Sequence, residues 1–169
     1  MVLGLTVWEA AWFAPFVLPI CLYVAWSDCR GMIIPNKAVL ALLIVFFGVG
    51  LIALPFMDWA WRWSHFAAIL VAGMVMNAAG AVGAGDAKFA AAAAPFIALG
   101  DLVIVLLLLA ATILAAFATH RIAKHTGLRN LAPDWKSWET GSDFPMGLAL
   151  GPALALYLLL GLIFGAVPS

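Results

Sequence analysis

The sequence predicts an all-α polytopic membrane protein in which six transmembrane helices form one bundle. Of its 169 residues, 67% are hydrophobic and only 9% are charged, and the mean hydropathy is +1.15. A soluble domain of this size needs a far more polar surface. We therefore expect a single membrane domain over residues 1–169, with no room for a second sizeable domain.

Six apolar segments alternate with polar loops along the chain. A helix needs roughly 20 apolar residues to cross the hydrocarbon core of a bilayer. Asn36 suits a helix N-cap before the second segment, and Pro145 suits the first turn of the last segment. We predict membrane spans at about residues 8–27, 37–56, 64–82, 87–99, 101–119 and 145–165.

The fourth span is short, because its thirteen residues cover only about 20 Å as a helix. Residues 87–119 could instead form one long helix. A break at Gly100 and Asp101 would separate them into two spans, and the charge distribution decides between these alternatives.

With that break, the loops at 28–36, 83–88 and 120–144 lie on one side of the membrane, which then holds seven of the eight basic residues. Without the break, this bias disappears. The positive-inside rule therefore favours six spans, places both termini outside and makes the shared side cytoplasmic. Only Arg62 lies opposite. The seven basic residues are Arg30, Lys37, Lys88, Arg121, Lys124, Arg129 and Lys136.

Charge and cysteine usage exclude several classes of function. The formal net charge is zero, which argues against a nucleic-acid partner. The two cysteines, Cys21 and Cys29, form no CxxC motif, and no Cys/His cluster has the spacing of metal ligands. We therefore expect no bound metal and no cofactor. The apolar composition makes the lipid bilayer the expected surroundings of the protein.

Two aspartates stand out because each lies at the end of an apolar segment on the predicted cytoplasmic side. A carboxylate at a membrane boundary is costly to desolvate, so Asp28 and Asp86 mark a candidate functional site. Each could equally be an interfacial residue that headgroups and water solvate. Gly83 and Gly85 weaken that alternative for Asp86, since they let the backbone bend and a substrate approach closely.

A pair of neighbouring carboxyl groups would support hydrolysis. Two close carboxyls cannot easily both ionise, so they hold one proton between them. The ionised member takes a proton from water, which attacks a peptide carbonyl, while the protonated member supports the oxyanion and later protonates the leaving amine. Serine and metal mechanisms find no support, because the chain contains neither Gly-x-Ser-x-Gly nor HExxH.

Other charged residues on the cytoplasmic side each have two interpretations. Lys88 would favour the ionised form of a nearby carboxylate, or it serves only as a positive-inside residue, and the same holds for Arg30. Asp134, Glu139 and Asp143 are either ordinary solvated loop charges or contacts for a basic segment of a peptide substrate.

Four further polar residues have simpler interpretations. Glu9, Asp58 and Asp101 fall on the predicted outer side. We expect Asp58 and Asp101 only to terminate membrane spans. Asn77 falls inside the third predicted span, where a polar contact between helices is the simplest account.

Three segments resemble motifs of the type IV prepilin peptidases, which are GxGD-type aspartic proteases. Residues 28–36 resemble the first aspartate motif, in which the proline of an I/L-P-N/D element, here Pro35, follows the aspartate by seven residues. Residues 83–88 match the second motif, Gly-x-Gly-Asp-x-Lys. Residues 144–147 look like the proline-glycine element that begins a late helix. The three segments follow the order expected for the family.

The resemblance implies an endopeptidase that removes the short basic leader of prepilin-like proteins at the cytoplasmic face of the inner membrane. It implies catalytic roles for Asp28 and Asp86. It implies a prepilin or pseudopilin as substrate, and pilus or secretion assembly machinery as a further partner. The remaining motif positions, with implied supporting roles, are Arg30, Pro35, Asn36, Gly83, Gly85 and Lys88.

One departure from the family narrows this prediction. Large bifunctional members carry an N-terminal cytoplasmic region with paired CxxC motifs, associated with N-methylation of the mature pilin. This chain has neither that length nor those cysteines, so it is similar to the short peptidases of tight-adherence pilus systems and to archaeal preflagellin peptidases. We expect no zinc or methyltransferase region.

Two other functions would use the same carboxylates. A small proton- or cation-coupled transporter would need polar residues near the midplane of several spans, where this sequence has few. A non-catalytic scaffold of a secretion assembly would tolerate loss of either aspartate. Presenilin-like proteases share Gly-x-Gly-Asp, but the motif at residues 28–36 and the short chain favour the prepilin branch.

Overall fold

The computed structural model describes residues 2–141 and 143–167 of the chain. Within this part, helices dominate and alternate in direction, so successive helix ends meet at two opposite ends of a bundle. The α-helices are α1 (Val7–Gly31), α2 (Asn36–Ala53), α3 (Phe56–Ala78), α4 (Ala84–Ala93), α5 (Leu102–Lys124) and α6 (Gly147–Phe164). The all-α class is thereby confirmed, apart from one small pairing of strands.

That pairing joins the two ends of the described chain. Strand β1 (Leu3–Thr6) lies parallel to β2 (Gly165–Ala166). The backbone N–H groups of Gly4 and Leu5 both donate to the Asp101 carboxylate, at 2.7 and 2.9 Å, so a side chain outside the two strands also holds β1 in place. The sequence does not predict this strand, because four residues are too few to show the alternation of apolar and polar side chains that marks a strand.

Four helical segments are long and apolar enough to cross a membrane, namely α1, α2, Leu99–Lys124 and α6. The third and fourth predicted spans correspond to α3 and α4, which are not among them. α3 carries the charged residues Asp58 and Arg62, and the ten residues of α4 extend only about 15 Å. The membrane-type architecture is confirmed, whereas the count of six spans and the orientation of the termini stay predictions.

The chain between α4 and α5 is broken, as the charge distribution predicted. α4 ends at Ala93, a 3₁₀ turn follows at Ala94–Phe96, and a second turn occupies Leu99–Asp101. Between the turns the backbone is extended, with ψ of 122° at Ile97 and 135° at Ala98. A proline in the first of these turns, Pro95, removes a backbone donor that a continuous helix would use.

α6 is the central helix, because it packs against both α1 and α5, while α3 packs mainly on α4. Glycines allow α6 to approach α1 closely. A Cβ added at Gly151 would lie 2.5 Å from the carbonyl oxygen of Cys21, and one added at Gly161 would lie 3.0 Å from the Cβ of Ala10. Small residues at such crossings are typical of membrane helix packing.

At the end of the bundle opposite to the loops at 28–36 and 83–88, buried polar groups pair with one another. The Arg62 guanidinium bonds the Glu9 carboxylate at 2.7 Å, and the Tyr157 hydroxyl donates to Asp101 at 2.7 Å. The expectation that Asp101 only terminates a span is therefore wrong, since Asp101 is buried and ties β1 to α6. Asp58 is exposed in the first turn of α3, as expected.

Asn77 also differs from the prediction. It lies in the last turn of α3 and is exposed, and its amide donates to the carbonyl of Val82 at 2.8 Å. The amide therefore closes the turn that leads from α3 to α4 and makes no contact in the middle of a span. The sequence pattern misplaced it because α3 begins eight residues before the predicted span.

Candidate active site

One cavity of about 440 Å³ brings Asp28 and Asp86 together. Asp28 lies in the last turn of α1 and Asp86 in the first turn of α4. The antiparallel course of the helices places both turns at the same end of the bundle. The lining residues are Asp28, Met32, Ile33, Ile34, Asn36, Gly83, Ala84, Gly85, Asp86, Lys88, Phe144 and Met146.

The Asp28 carboxylate is held in one orientation by the start of α6. It is 5% exposed, and its Oδ2 accepts a hydrogen bond of 2.6 Å from the backbone N–H of Gly147. Only a glycine allows this approach, since a Cβ at position 147 would lie 2.9 Å from the Cβ of Asp28 and 3.0 Å from its Oδ2. The N–H donor and the absent side chain together fix where the carboxylate points.

Asp86 is half-buried and is positioned by the turn that precedes it. Gly83 is the N-cap residue of α4, and its backbone hydrogen-bonds the Asp86 carboxylate. A Cβ at Gly83 would lie 2.6 Å from Asp86 Oδ2, so this position too must be a glycine. Gly85 faces Ile34, whose Cβ would be 3.4 Å from an added Cβ. The two glycines thus let the turn close around the carboxylate and against the loop after α1.

Burial, and to a smaller extent the nearby negative charge of Asp28, raise the pKa of Asp86 from its usual value to about 6. The hydrogen bond from Gly83 acts in the opposite sense and lowers the pKa. A carboxyl with a pKa near 6 can hold or release a proton close to neutral pH, as a general acid must.

Four supporting motif residues line the cavity and two do not. Lys88 Nζ lies 3.5 Å from Asn36 Oδ1, a contact that connects α4 to α2 across the cavity. Asn36 is the first residue of α2 and not its cap, because Pro35 occupies the N-cap position. Arg30 is exposed and lies over the Trp26 ring, 5.0 Å from its centroid. The four that line the cavity are Asn36, Gly83, Gly85 and Lys88.

The three acidic residues considered for leader contacts lie outside the cavity. Asp134, Glu139 and Asp143 are exposed in the connection between α5 and α6, and none of them lines the cavity. The same connection contributes Phe144 and Met146 to the cavity wall. A role for the three in substrate binding stays a prediction.

Two features of the site were missed by reasoning from sequence. The Gly147 N–H is the direct partner of Asp28, although the proline-glycine element at 144–147 was visible as a motif. Met32 adopts a left-handed conformation with φ of 55°, rare for a residue with a side chain, and its N–H caps α1 by donating to the Asp28 carbonyl at 2.8 Å.

An apolar helical bundle with a carboxylate pair in a cavity at one end defines a class of membrane protein equipped for acid–base chemistry. The sequence matches the model of the type IV leader peptidase family over residues 16–119, and the chain belongs to that family. It is therefore a peptidase. The match includes both aspartates, whereas α6 with Gly147 lies beyond it. No curated protein and no solved structure matches the chain.

Proposed function

We propose that this protein is an aspartic endopeptidase that removes the basic leader of prepilin-like substrates at the cytoplasmic face of the inner membrane. The observation that carries the proposal is the shared cavity, which Asp28 and Asp86 both line, with Gly147 and Gly83 at the two positions where a side chain would press on a carboxylate. Membership of the type IV leader peptidase family supports the same substrate class.

In the proposed reaction the two carboxyls have different roles. Asp28, held by the Gly147 N–H, is the ionised member that takes a proton from the attacking water. Asp86 carries the shared proton, supports the developing oxyanion and then protonates the leaving amine. The scissile C–N bond breaks after water adds to the carbonyl, and the two products leave as a carboxylic acid and an amine.

The pH dependence of cleavage follows from this assignment. Asp86 is protonated below its pKa of about 6, so the fraction of free enzyme with one proton on the pair falls as the pH rises above 6. We expect kcat/KM for a leader peptide to decrease on the alkaline side of an inflection near this pH. A kcat/KM that instead rises from pH 6 to 8 would contradict the assignment of the proton to Asp86.

The proposed topology has six spans, with α3 and the α4 segment completing the bundle and both termini outside the cytoplasm. A cysteine at position 125 should then react with a membrane-impermeant maleimide only from the cytoplasmic side, and one at position 60 only from outside. Both His125 and Ala60 are exposed, while the native Cys21 and Cys29 are buried. Labelling of position 125 from outside would contradict the shared cytoplasmic face.

Leader removal is tested by co-expression with a pilin-like substrate that carries a basic leader. We expect the substrate to shorten by the length of its leader, and mass spectrometry of the product to show a single cleaved bond. A substrate in which neutral residues replace the basic ones should be processed more slowly. If the substrate keeps its full mass while the peptidase is present in the membrane, the proposed function is wrong.

Recognition of the basic leader is the role that we assign to the acidic residues of the α5–α6 connection. Asp134, Glu139 and Asp143 are exposed, and their connection forms part of the cavity wall through Phe144 and Met146. A leader that extends from the cavity into the cytoplasm passes this connection. Pilus or secretion assembly proteins would receive the processed product.

A further inference from the structure

The two aspartates of the cavity lie on helices that belong to different parts of the bundle. Asp28 lies on α1, which packs extensively against α6, and α6 also supplies the Gly147 N–H that holds Asp28. Asp86 lies on α4, which packs mainly against α3. Within the described part of the chain, α1 and α4 make almost no direct contact. The separation of the two carboxylates therefore depends on how the α3–α4 pair is attached to the α1–α6 pair.

A buried ion pair joins these two pairs of helices. Glu9 of α1 and Arg62 of α3 are 6% and 8% exposed, and Arg62 Nη2 donates to Glu9 Oε1 at 2.7 Å. The other terminal nitrogen, Nη1, donates at 3.5 Å to the carbonyl of Pro95, in the turn that follows α4. Within residues 2–141 and 143–167, no other side-chain hydrogen bond connects α1 with α3 or α4.

Glu9 is itself fixed at the start of α1. Its Oε2 accepts a hydrogen bond from the Thr6 N–H at 2.7 Å, and the Thr6 hydroxyl accepts one from the Glu9 N–H at 3.1 Å. This capping box occupies one carboxylate oxygen and leaves Oε1 for Arg62. Thr6 is the last residue of β1. The ion pair is therefore anchored to the strand as well as to the helix.

Stability alone is a poor account of this ion pair. Taking two charges out of water is costly, and apolar residues of similar volume are often at least as stable in such a place. Ionisable residues inside a membrane bundle are rare and mark functional positions. An ion pair adds a fixed register to an apolar contact, because a guanidinium and a carboxylate bond only in a defined geometry. The pair therefore sets where α3 and α4 lie along α1.

From these observations we propose that Glu9 and Arg62 are positioning residues, whose ion pair holds the α3–α4 pair against α1 so that Asp86 reaches Asp28. The ion pair lies at the opposite end of α1 from Asp28. Only the ten residues of α4, about 15 Å of helix, separate the region of Asp86 from Pro95. Because a short helix moves as a rigid body, a shift at Pro95 displaces Asp86 in the cavity. This role rests on the proposed function, in which both carboxyls act on one substrate.

The decisive variant is the double substitution Glu9→Leu/Arg62→Met. The apolar pair keeps most of the buried volume, so the thermal unfolding temperature should stay near that of the wild-type protein. We nevertheless expect kcat for a leader peptide to fall about tenfold to a hundredfold, because Asp86 is misplaced. KM should change little, since the acidic residues of the α5–α6 connection are untouched.

Two single variants accompany the double substitution. Arg62→Lys keeps the positive charge but lacks the planar fork that reaches two partners, so its kcat should fall between those of the wild-type protein and the double variant. The matched control is Asp58→Asn, which removes an exposed charge from α3 one turn before Arg62. Its kcat and KM should equal those of the wild-type protein.

A distance measurement tests the same ion pair without any cleavage assay. Leu22 on α1 and Met76 on α3 are both exposed, so cysteines at these positions accept spin labels, whereas the native cysteines are buried. Pulsed EPR in lipid vesicles should give a narrow distribution of label distances in the wild-type background and with Asp58→Asn. In the double variant Glu9→Leu/Arg62→Met the distribution should broaden and its mean should shift.

For a wild-type protein that cleaves the leader, either an unchanged kcat or unchanged label distances in the double variant would overturn the proposal. A double variant that fails to fold would also overturn it, because the ion pair would then hold the bundle itself together. If the wild-type protein cleaves no leader but the label distances change as expected, the proposed function fails and the attachment of α3 and α4 through the ion pair stands.

Discussion

Replacing either Asp28 or Asp86 with asparagine will reduce leader cleavage by about a hundredfold to ten-thousandfold, the range that general acid–base groups contribute. Asparagine has nearly the same shape as aspartate, but it can neither take a proton from water nor supply one to the leaving amine. The measurement is the initial rate of cleavage of a basic leader peptide by purified protein in vesicles that contain phosphatidylglycerol.

The matched control for these two variants is Asp58→Asn. Asp58 is exposed in the first turn of α3, at the opposite end of the bundle from the cavity, so its replacement should leave the rate unchanged. The expression level and the thermal unfolding temperature of all three variants should stay near those of the wild-type protein. Rapid processing by Asp28→Asn and Asp86→Asn alike would leave the scaffold hypothesis as the better account.

Gly147→Ala is expected to lower kcat/KM by about a hundredfold, although no catalytic group is removed. The added methyl would lie 3.0 Å from Asp28 Oδ2 and 2.9 Å from its Cβ, closer than these atoms tolerate. The carboxylate must move, and the N–H bond of 2.6 Å will lengthen or break. A displacement of about 1 Å from the productive geometry is enough for a loss of this size.

Gly48→Ala is the control for this variant. Gly48 lies in α2, and a Cβ there would meet nothing within 4 Å, so the rate should not change and helix propensity should slightly stabilise the protein. The two variants are compared by steady-state kinetics together with thermal unfolding in the same detergent. A Gly147→Ala protein with wild-type kcat/KM would mean that the orientation of Asp28 by α6 does not matter for cleavage.

The parts of the molecule that could be predicted from sequence depend on long-range averages or on short motifs. Hydropathy predicted the helical bundle, and the distribution of basic residues correctly predicted a break before α5. The same charge argument placed Asp28 and Asp86 at one end, where the structure has them in one cavity. Each of these inferences averages hydropathy or charge over many residues, so an exceptional residue at one position does not change the prediction.

The remaining features depend on contacts between residues distant in sequence. Nothing near Asp101 indicates that the N–H groups of Gly4 and Leu5 will bind it, and nothing near Asp28 indicates the Gly147 N–H. Such pairings are set by how α6 packs against α1 and α5, which hydropathy does not encode.

The central claim is that Asp28 and Asp86 act as one catalytic unit, and a double substitution tests it most directly. Residual cleavage should be measured over long incubations for Asp28→Asn, Asp86→Asn and the combined variant, with the same leader peptide and vesicles. If both carboxyls must act together in the same reaction, each in its own role, the double variant will be no slower than the slower single variant, because the effects of groups acting as a unit do not add. Losses that multiply in the double variant would show that the two aspartates act independently and would contradict the account.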